Sequence, residues 1–175
     1  MPRLDPFNST DSPRVISVAI GQWSVAPAPA VLRTLLGSCV GVVLYDRIAK
    51  LGGLAHVVLP SARGAPVDHP GKYADTAILG MIMEFEQQLG RKVPMRLTAK
   101  LVGGANMFQN HSTENTNSGL NIGQRNQVAI EQILTELRIP VLARDVGGTA
   151  GRRLTLDTTS GAVTVKVPGG AEFEI

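Results

Sequence analysis

Two neighbouring runs rich in valine and leucine constrain the fold of this chain more than any other feature. The first run, residues 35–46, contains the single cysteine of the chain, and the second, residues 51–60, contains His56. Runs of this composition, bounded by Gly, Asp or Pro, are typical of β-strands. Because so few residues separate them, we expect the two runs to form an antiparallel hairpin.

The hairpin also predicts which side chains face each other. If the chain reverses over residues 46–49, with Ala49 paired back to Asp46, then Cys39 lies opposite His56. Directly opposite residues share a face, with Cβ atoms roughly 4.5 to 5.5 Å apart. A slip of one residue, which a bulge at Gly52 or Gly53 would permit, would send the two side chains to opposite faces.

The remaining pattern predicts an α+β fold. Apolar residues at helical spacing predict helices over about residues 73–89 and 123–138. Strands mostly follow one another and outnumber the helices, so we expect an α/β sandwich with a mixed, largely antiparallel sheet and two main helices. Further strands are predicted at residues 15–22, 96–102, 141–146, 153–156 and 162–167.

The length of 175 residues suits a single domain. Residues 1–13 are polar, carry three prolines and are expected to form a flexible tail, which leaves residues 14–175 as one domain. The polar stretch 109–119 matches no helix or strand pattern.

Composition narrows the environment and the partners. A formal net charge of +3, with Lys and Arg scattered along the chain, gives no nucleic-acid footprint. One cysteine cannot form an internal disulfide, and the chain has neither a signal-peptide pattern nor an apolar run that would insert into a membrane. We therefore expect a cytoplasmic protein.

Cys39 and His56 together have the chemistry of a nucleophile beside its base. A lone cysteine is by default a small buried hydrophobic residue, and a lone histidine is more often a satisfied core residue. As a facing pair, however, the imidazole would help the thiol to become a thiolate near neutral pH. Gly37 and Ser38, just before the cysteine, allow an irregular turn and a close approach of the backbone.

Metal and cofactor sites are weaker interpretations of the same sequence. One Cys and three His, with His69 and His111 in predicted loops, are too few ligands at too irregular a spacing for a structural zinc. The glycine-rich stretches 103–105 and 147–151 match neither the dinucleotide fingerprint nor the phosphate-binding loop. We therefore expect no cofactor and no metal.

Several motifs in a fixed order resemble the CheD family, the chemoreceptor glutamine deamidases of bacterial chemotaxis. The similarity extends over nearly the whole chain beyond the tail. It rests on Leu36-Gly37-Ser38-Cys39-Val40, Gly53-x-x-His56, Leu59-Pro60, Gly71-Lys72-Tyr73-Ala74-Asp75, Gly103-Gly104-Ala105-x-Met107-Phe108, Asn121-Ile122-Gly123-x-Arg125-Asn126 and Asp145-x-Gly147-Gly148.

This resemblance implies a sandwich fold similar to the catalytic domain of the cytotoxic necrotizing factor toxins. It implies Cys39 as the nucleophile, His56 as the base and a threonine shortly before the cysteine as the third member. Thr34 is the matching threonine, although the family pattern places it one position earlier, where this chain has Arg33. In an unbroken strand Thr34 and Cys39 would point to opposite faces, so a bulge near Gly37 is required.

The resemblance also implies the reaction and the partners. The enzyme would convert specific glutamines of methyl-accepting chemoreceptors to glutamate through a Cys39 thioester, with the backbone amides of Ser38 and Cys39 as oxyanion donors. It implies a complex with a CheC-type phosphatase. Two alternatives remain: a cysteine peptidase or acyltransferase, and a protein that acts mainly as a binding module for that phosphatase and for receptors.

Overall fold

The computed structural model describes residues 12–64, 67–107 and 121–175, and these ranges contain ten β-strands and two α-helices. Most of the predicted tail over residues 1–13 and the polar stretch 109–119 lie outside the described residues. The strands are β1 (Arg14–Ser17), β2 (Trp23–Pro27), β3 (Ala30–Leu36), β4 (Val40–Asp46), β5 (Leu51–Val57), β6 (Thr98–Gly103), β7 (Val141–Val146), β8 (Arg152–Asp157), β9 (Val163–Lys166) and β10 (Glu172–Glu174). The helices are α1 (Ala74–Leu89) and α2 (Ile122–Glu136).

The strands form two mixed sheets of five strands each. In sheet A the order is β1-β3-β8-β9-β10, and in sheet B it is β2-β5-β4-β6-β7. The pairs β1/β3 and β6/β7 are parallel, and the other neighbours are antiparallel. The predicted α+β class with two main helices is confirmed, and the strands are divided between two sheets.

Sheet B is the central layer, with sheet A on one face and both helices on the other. Every residue of β4 and β5 is buried, as expected for strands covered on both faces. A Cβ added at Gly53 would meet Phe85 and Met81 of α1, whereas one added at Gly52 would meet Leu156 of β8. Alternate residues of β5 therefore face the helices and sheet A, and His56 lies on the same side as Gly52.

Two apolar clusters hold these layers together. The cluster between sheet B and the helices is centred on Phe85, Met81 and Ile78 of α1 and Ile130 and Leu134 of α2. The cluster between the two sheets is built from Leu32, Leu36, Val43, Leu54, Val102, Leu154, Leu156, Val163 and Val165, and it also includes Cys39. The cysteine thus lies between the sheets.

The helices follow the predicted pattern closely. Helix α1 buries one apolar stripe and ends at Gly90, whose φ of 64° gives the left-handed cap expected of glycine. Helix α2 begins at a capping box formed by Asn121 and Gln124. The apolar spacing of this helix also predicts a buried Val128, but Val128 is 55% exposed, so that part of the prediction was wrong.

Three strand predictions need correction. The first strand ends at Ser17, and the chain then turns and starts a separate strand, β2, in the other sheet. The predicted strand over residues 35–46 is broken at residues 37–39, so that β3 belongs to sheet A and β4 to sheet B. The short strand β10 was not predicted, because its sequence is polar and all three residues are exposed.

Candidate functional site

A three-residue bend places Cys39 where the chain crosses from one sheet to the other. The bend occupies residues 37–39, between β3 and β4, and Cys39 is only 9% exposed. Two hydrogen bonds hold it: Gly104 N donates to the Cys39 carbonyl at 2.8 Å, and Ala105 N donates to the Gly37 carbonyl at 2.9 Å. A Cβ at Gly103 would lie 2.5 Å from the Cys39 carbonyl oxygen, and the φ of Gly103 is +106°, so this position requires glycine.

The same bend leaves two backbone donors available. Among the described residues, no acceptor is found for the amide N–H of Ser38 or of Cys39. The carbonyls of Gly37 and Cys39 are therefore engaged, whereas the amides of Ser38 and Cys39 have no acceptor among the described residues. Unengaged neighbouring amides beside a nucleophile are the usual donors to an oxyanion.

Hydrogen bonds position His56 through its backbone and through its ring. Its amide donates to the Gln22 carbonyl at 2.9 Å, and its carbonyl accepts from Gly21 N at 3.0 Å. Its Nδ1 lies 2.8 Å from Thr34 Oγ1, and that hydroxyl also lies 2.8 Å from the Val18 carbonyl oxygen. The imidazole is thus held from sheet A although His56 itself belongs to sheet B.

The Thr34 contacts determine the tautomer of His56. A carbonyl oxygen can only accept, so the single hydroxyl proton of Thr34 is used by Val18, and Oγ1 must then accept from Nδ1–H. The proton of a neutral ring is therefore on Nδ1, and the lone pair is on Nε2. This is the form in which a histidine can take up a proton at Nε2.

The alternation of β3 explains why Thr34 lies at this site and Arg33 does not. Leu32, Thr34 and Leu36 are buried, whereas Arg33 and Leu35 point to solvent. Thr34 and Cys39 would point to opposite faces only in an unbroken strand, and the bend at residues 37–39 interrupts the strand between them. The inward alternation Leu32-x-Thr34-x-Leu36 was the sequence signal for this placement.

The predicted pairing of Cys39 with His56 was wrong by two residues. His56 pairs with Gly41, and Asp46 pairs with Leu51. The reason is the turn: Asp46 Oδ1 accepts from the amides of Ile48 and Ala49, so a four-residue connection replaces the predicted tight reversal.

A shift of two residues preserves the face, so Cys39 and His56 still lie on the side of sheet B that faces sheet A. They are diagonal neighbours, for which separations of about 7–8 Å are typical. Within the described ranges, no hydrogen bond joins their side chains, and the ring contact of His56 is with Thr34. The structure therefore brings Cys39, His56 and Thr34 to one end of the sandwich.

Burial shifts both titratable groups toward their neutral forms. It raises the pKa of the Cys39 thiol above its ordinary value and lowers the pKa of the His56 imidazole. At neutral pH the resting site thus holds a thiol and a neutral imidazole. The predicted stabilisation of a Cys39 thiolate by a facing histidine is not present in this resting arrangement.

A groove gives access to the histidine. A cavity of about 570 Å³ is lined by Thr34 and His56 together with Ser17, Val18, Ile20, Arg33, Leu35 and Arg153. A second cavity of about 490 Å³ lies beside it and shares Leu35 and Arg153. In the described part of the chain, no group of three or more His, Cys, Asp or Glu side chains is arranged to hold a metal ion.

An ion pair that the sequence did not reveal ties the two sheets near this end. Arg152 of β8 donates from Nε to Asp145 of β7 at 2.7 Å, and its side chain is only 9% exposed. Arg152 also pairs in register with Leu36, the last residue before the bend. The pair therefore helps to fix the bend relative to both sheets. Arg and Asp seven positions apart on different strands give no sequence signal.

Fold and site together define an α+β sandwich with a cysteine, a histidine and a threonine gathered between its sheets. A family model described as CheD chemotactic sensory transduction matches residues 58–167. A protein of Desulforamulus reducens named probable chemoreceptor glutamine deamidase CheD is 47% identical, over 88% of this chain and 91% of that protein. A Thermotoga maritima protein named chemoreceptor glutamine deamidase CheD is 42% identical, over 90% of this chain and 96% of that protein. The chain therefore belongs to the CheD family, a family of enzymes.

Thr34, Cys39 and His56 all precede the span of the family model, although the alignments with these relatives cover most of the chain. Among solved structures, the Bacillus licheniformis hypothetical protein YfiH is similar with a TM-score of 0.42 and 16% identity, over 81% of this chain and 62% of that one. Among the described helices, none combines the length and the apolar character needed to cross a membrane.

Proposed function

We propose that this protein is a chemoreceptor glutamine deamidase, in which Cys39 is the nucleophile, His56 transfers protons and Thr34 positions His56. The relatives' names support the reaction and the substrate. The observation that carries the assignment of residues is the Thr34–His56 hydrogen bond, because it leaves the lone pair of His56 on Nε2. That nitrogen can then serve the thiol on the neighbouring bend.

The first half of the reaction removes ammonia. His56 Nε2 takes the thiol proton as Cys39 Sγ attacks the side-chain carbonyl carbon of the glutamine, and the carbonyl oxygen becomes an oxyanion. The unengaged amides of Ser38 and Cys39 donate to that oxyanion. His56 then gives its proton to the departing nitrogen, the C–N bond breaks, and ammonia leaves a thioester on Cys39.

The second half releases glutamate. His56 Nε2 takes a proton from a water as the water attacks the thioester carbon, and the C–S bond then breaks. The thiolate recovers the proton from His56, so the enzyme returns to its starting state. The net change is one glutamine and one water converted to one glutamate and one ammonia.

The raised pKa of Cys39 and the lowered pKa of His56 favour proton transfer during the attack rather than before it. Substrate that fills the groove and approaches Cys39 would bring thiol and imidazole into reach, as catalytic hydrogen bonds often tighten only in the substrate complex. Thr34 would hold the ring in the correct tautomer through both halves of the reaction.

The test is incubation of the full chain with a cytoplasmic chemoreceptor fragment, followed by intact-mass spectrometry and an ammonia assay. We expect one ammonia released for each side chain whose NH₂ is replaced by OH, with the backbone uncut. Cleavage of the backbone would instead identify a peptidase, the alternative that uses the same groups. A cytoplasmic location and a complex with a CheC-type phosphatase remain predictions, and a pull-down with that phosphatase would test the complex.

A further inference from the structure

The two cavities beside His56 form one continuous surface, which we call the basic rim. It includes Arg33, Arg153 and Lys166, and among the described residues that line the two cavities there is no Asp or Glu. The chain as a whole has 17 basic and 14 acidic residues, so this separation of charge is not a reflection of overall composition. The field at this surface is therefore positive.

The positive charge of this surface is only partly neutralised. Arg33 donates from Nε to the Ser17 hydroxyl at 3.2 Å and forms no ion pair within the described ranges. Lys166 lies opposite Glu172 in the register of β9 and β10 but forms no ion pair with it. Arg153 lies 3.5 Å from Glu172, but both side chains are about half exposed, at 46% and 50%. Such an exposed pair is weak and easily exchanged.

Apolar side chains accompany these charges. Ile20 is 65% exposed, Leu35 is 72% exposed and Met107 is 50% exposed; Leu35 lines both cavities, Ile20 lines the first and Met107 lines the second. Large exposed apolar residues around a groove indicate contact with another molecule. Apolar contacts ringed by cations fit a polypeptide segment that has both apolar and acidic side chains.

We propose that Arg33 and Arg153 determine substrate specificity by selecting glutamines that have acidic residues beside them in the substrate segment. This inference rests on the proposed function and deepens it. The reacting carboxamide is neutral, so the basic rim cannot serve the reacting group itself. Its cations instead attract carboxylates that flank the glutamine, while Ile20, Leu35 and Met107 cover the apolar part of the segment.

The test uses two peptides that carry one glutamine in identical apolar surroundings, one with flanking glutamates and one with flanking serines. We expect the wild-type protein to prefer the acidic peptide in kcat/KM by about 5- to 10-fold, the range of two exposed ion pairs. The preference should fall toward unity in the Arg33→Gln/Arg153→Gln variant, and also in about 0.5 M salt. Arg47→Gln, which removes an exposed arginine at the opposite end of β4, should keep the full preference.

Binding to the Cys39→Ala protein separates this inference from the proposed function. Fluorescence anisotropy should give the same acidic preference without any reaction, and the two arginine substitutions should remove it. If binding shows the preference but the wild type releases no ammonia, the proposed function fails, and with it the substrate role of the arginines, whereas their preference for an acidic segment stands as a binding property. If ammonia is released without any acidic preference, or Arg47→Gln weakens the preference as much, the specificity inference is overturned. Equal competition by vesicles of anionic lipid would also overturn it in favour of a lipid surface.

Discussion

The β4–β5 hairpin carries a buried polar cluster at each end, and the two clusters differ in which groups hold their side chains. At the turn, Asp46 is 1% exposed and its Oδ1 accepts from the amides of Ile48 and Ala49 and from Arg96 Nη2 at 2.9 Å. At the other end, His56 is 5% exposed, and its Nδ1 is held by Thr34 while Nε2 retains its lone pair.

We interpret the cluster at Asp46 as structural and propose that the cluster at His56 is reactive. Asp46 contacts its own turn and Arg96 of the short 3-10 helix Pro94–Arg96. It therefore closes the hairpin and connects it to the segment before β6. Asp46 Oδ2 and Arg96 Nε are both buried, and neither has a hydrogen-bond partner among the described residues. Asp46 and His56 each line a cavity: Asp46 lines one of about 420 Å³, and His56 lines the groove of about 570 Å³ with the lone pair of its Nε2 unused. A buried polar group, an adjoining cavity and an unpaired atom are therefore common to both ends. The ends differ in chemistry, because Asp46 is paired with the charged Arg96, whereas His56 is a neutral imidazole for which we propose proton exchange with the nearby thiol.

The largest expected effect on turnover among the neighbours of Cys39 comes from His56→Asn. Loss of the proton-transfer group should lower kcat by about 100-fold or more while the protein stays folded. His69→Asn, at an exposed position outside the groove, is the matched control and should leave turnover unchanged. Near-normal ammonia release by folded His56→Asn protein would show that the two ends of the hairpin do not differ in the proposed way.

Substitution of Asp46, at the turn end of the hairpin, should change stability and not turnover. Asp46→Ala leaves two turn amides and Arg96 without their acceptor, so we expect a loss of about 2 kcal/mol in the free energy of unfolding. Asp46→Asn keeps the oxygen that the turn amides use and should lose less. Denaturant unfolding measures both. A fall in kcat for each folded molecule would contradict the assignment of a purely structural role.

The sequence alone predicted the class of fold and the two helices. The site residues implied by the resemblance stay predictions, and the sequence did not predict their geometry. Helix α1 was predictable because a stripe of apolar residues ends at a glycine suited to a left-handed cap. The register of the hairpin was not, because the side chain of Asp46 stabilises a longer turn that strand patterns do not reveal. The crossing at residues 37–39 depends on contacts with residues 103–105, which lie far away in the sequence.

Thr34→Val tests how the ring of His56 is held. Valine has nearly the same shape but cannot accept from Nδ1–H, so we expect kcat to fall by about tenfold, the value of one buried hydrogen bond. Thr34→Ser retains the hydroxyl and should restore most of the rate, with little change in KM. Equal losses in the serine and valine variants would show that Thr34 acts through packing and not through its hydroxyl.

The pH dependence should follow the lowered pKa of His56. Because the folded protein disfavours the imidazolium, the base stays neutral to lower pH, and the acidic limb of kcat/KM should fall below the ordinary histidine value of about 6.5. The free energy of unfolding should depend on pH in the same direction. The contribution of His56 to it is present above about pH 6.5 and is lost as the pH falls, because the unfolded chain then binds a proton that the folded chain does not bind. A rate that falls with a midpoint above 6.5 would contradict this arrangement.

The smallest expected effect is on the alkylation of Cys39, where the pH at which labelling becomes fast should lie higher than for an ordinary cysteine. Since burial raises the pKa of this thiol, labelling of the free protein by iodoacetamide should be slow at neutral pH and should increase only above the ordinary cysteine pKa of about 8.5. Mass spectrometry of the labelled protein gives the midpoint. Rapid labelling at pH 7 would mean that the thiolate forms before substrate arrives.

Cys39→Ala, assayed on a chemoreceptor fragment by intact-mass spectrometry, tests the central claim most directly. The substitution removes one sulfur atom from a partly buried bend, so thermal unfolding should change little, and the fold can be verified on the same sample. If Cys39 is the nucleophile, no thioester can form, and conversion of glutamine to glutamate should fall to the level without enzyme. Continued conversion by the folded Cys39→Ala protein would contradict the mechanism and would place the reaction elsewhere in the chain.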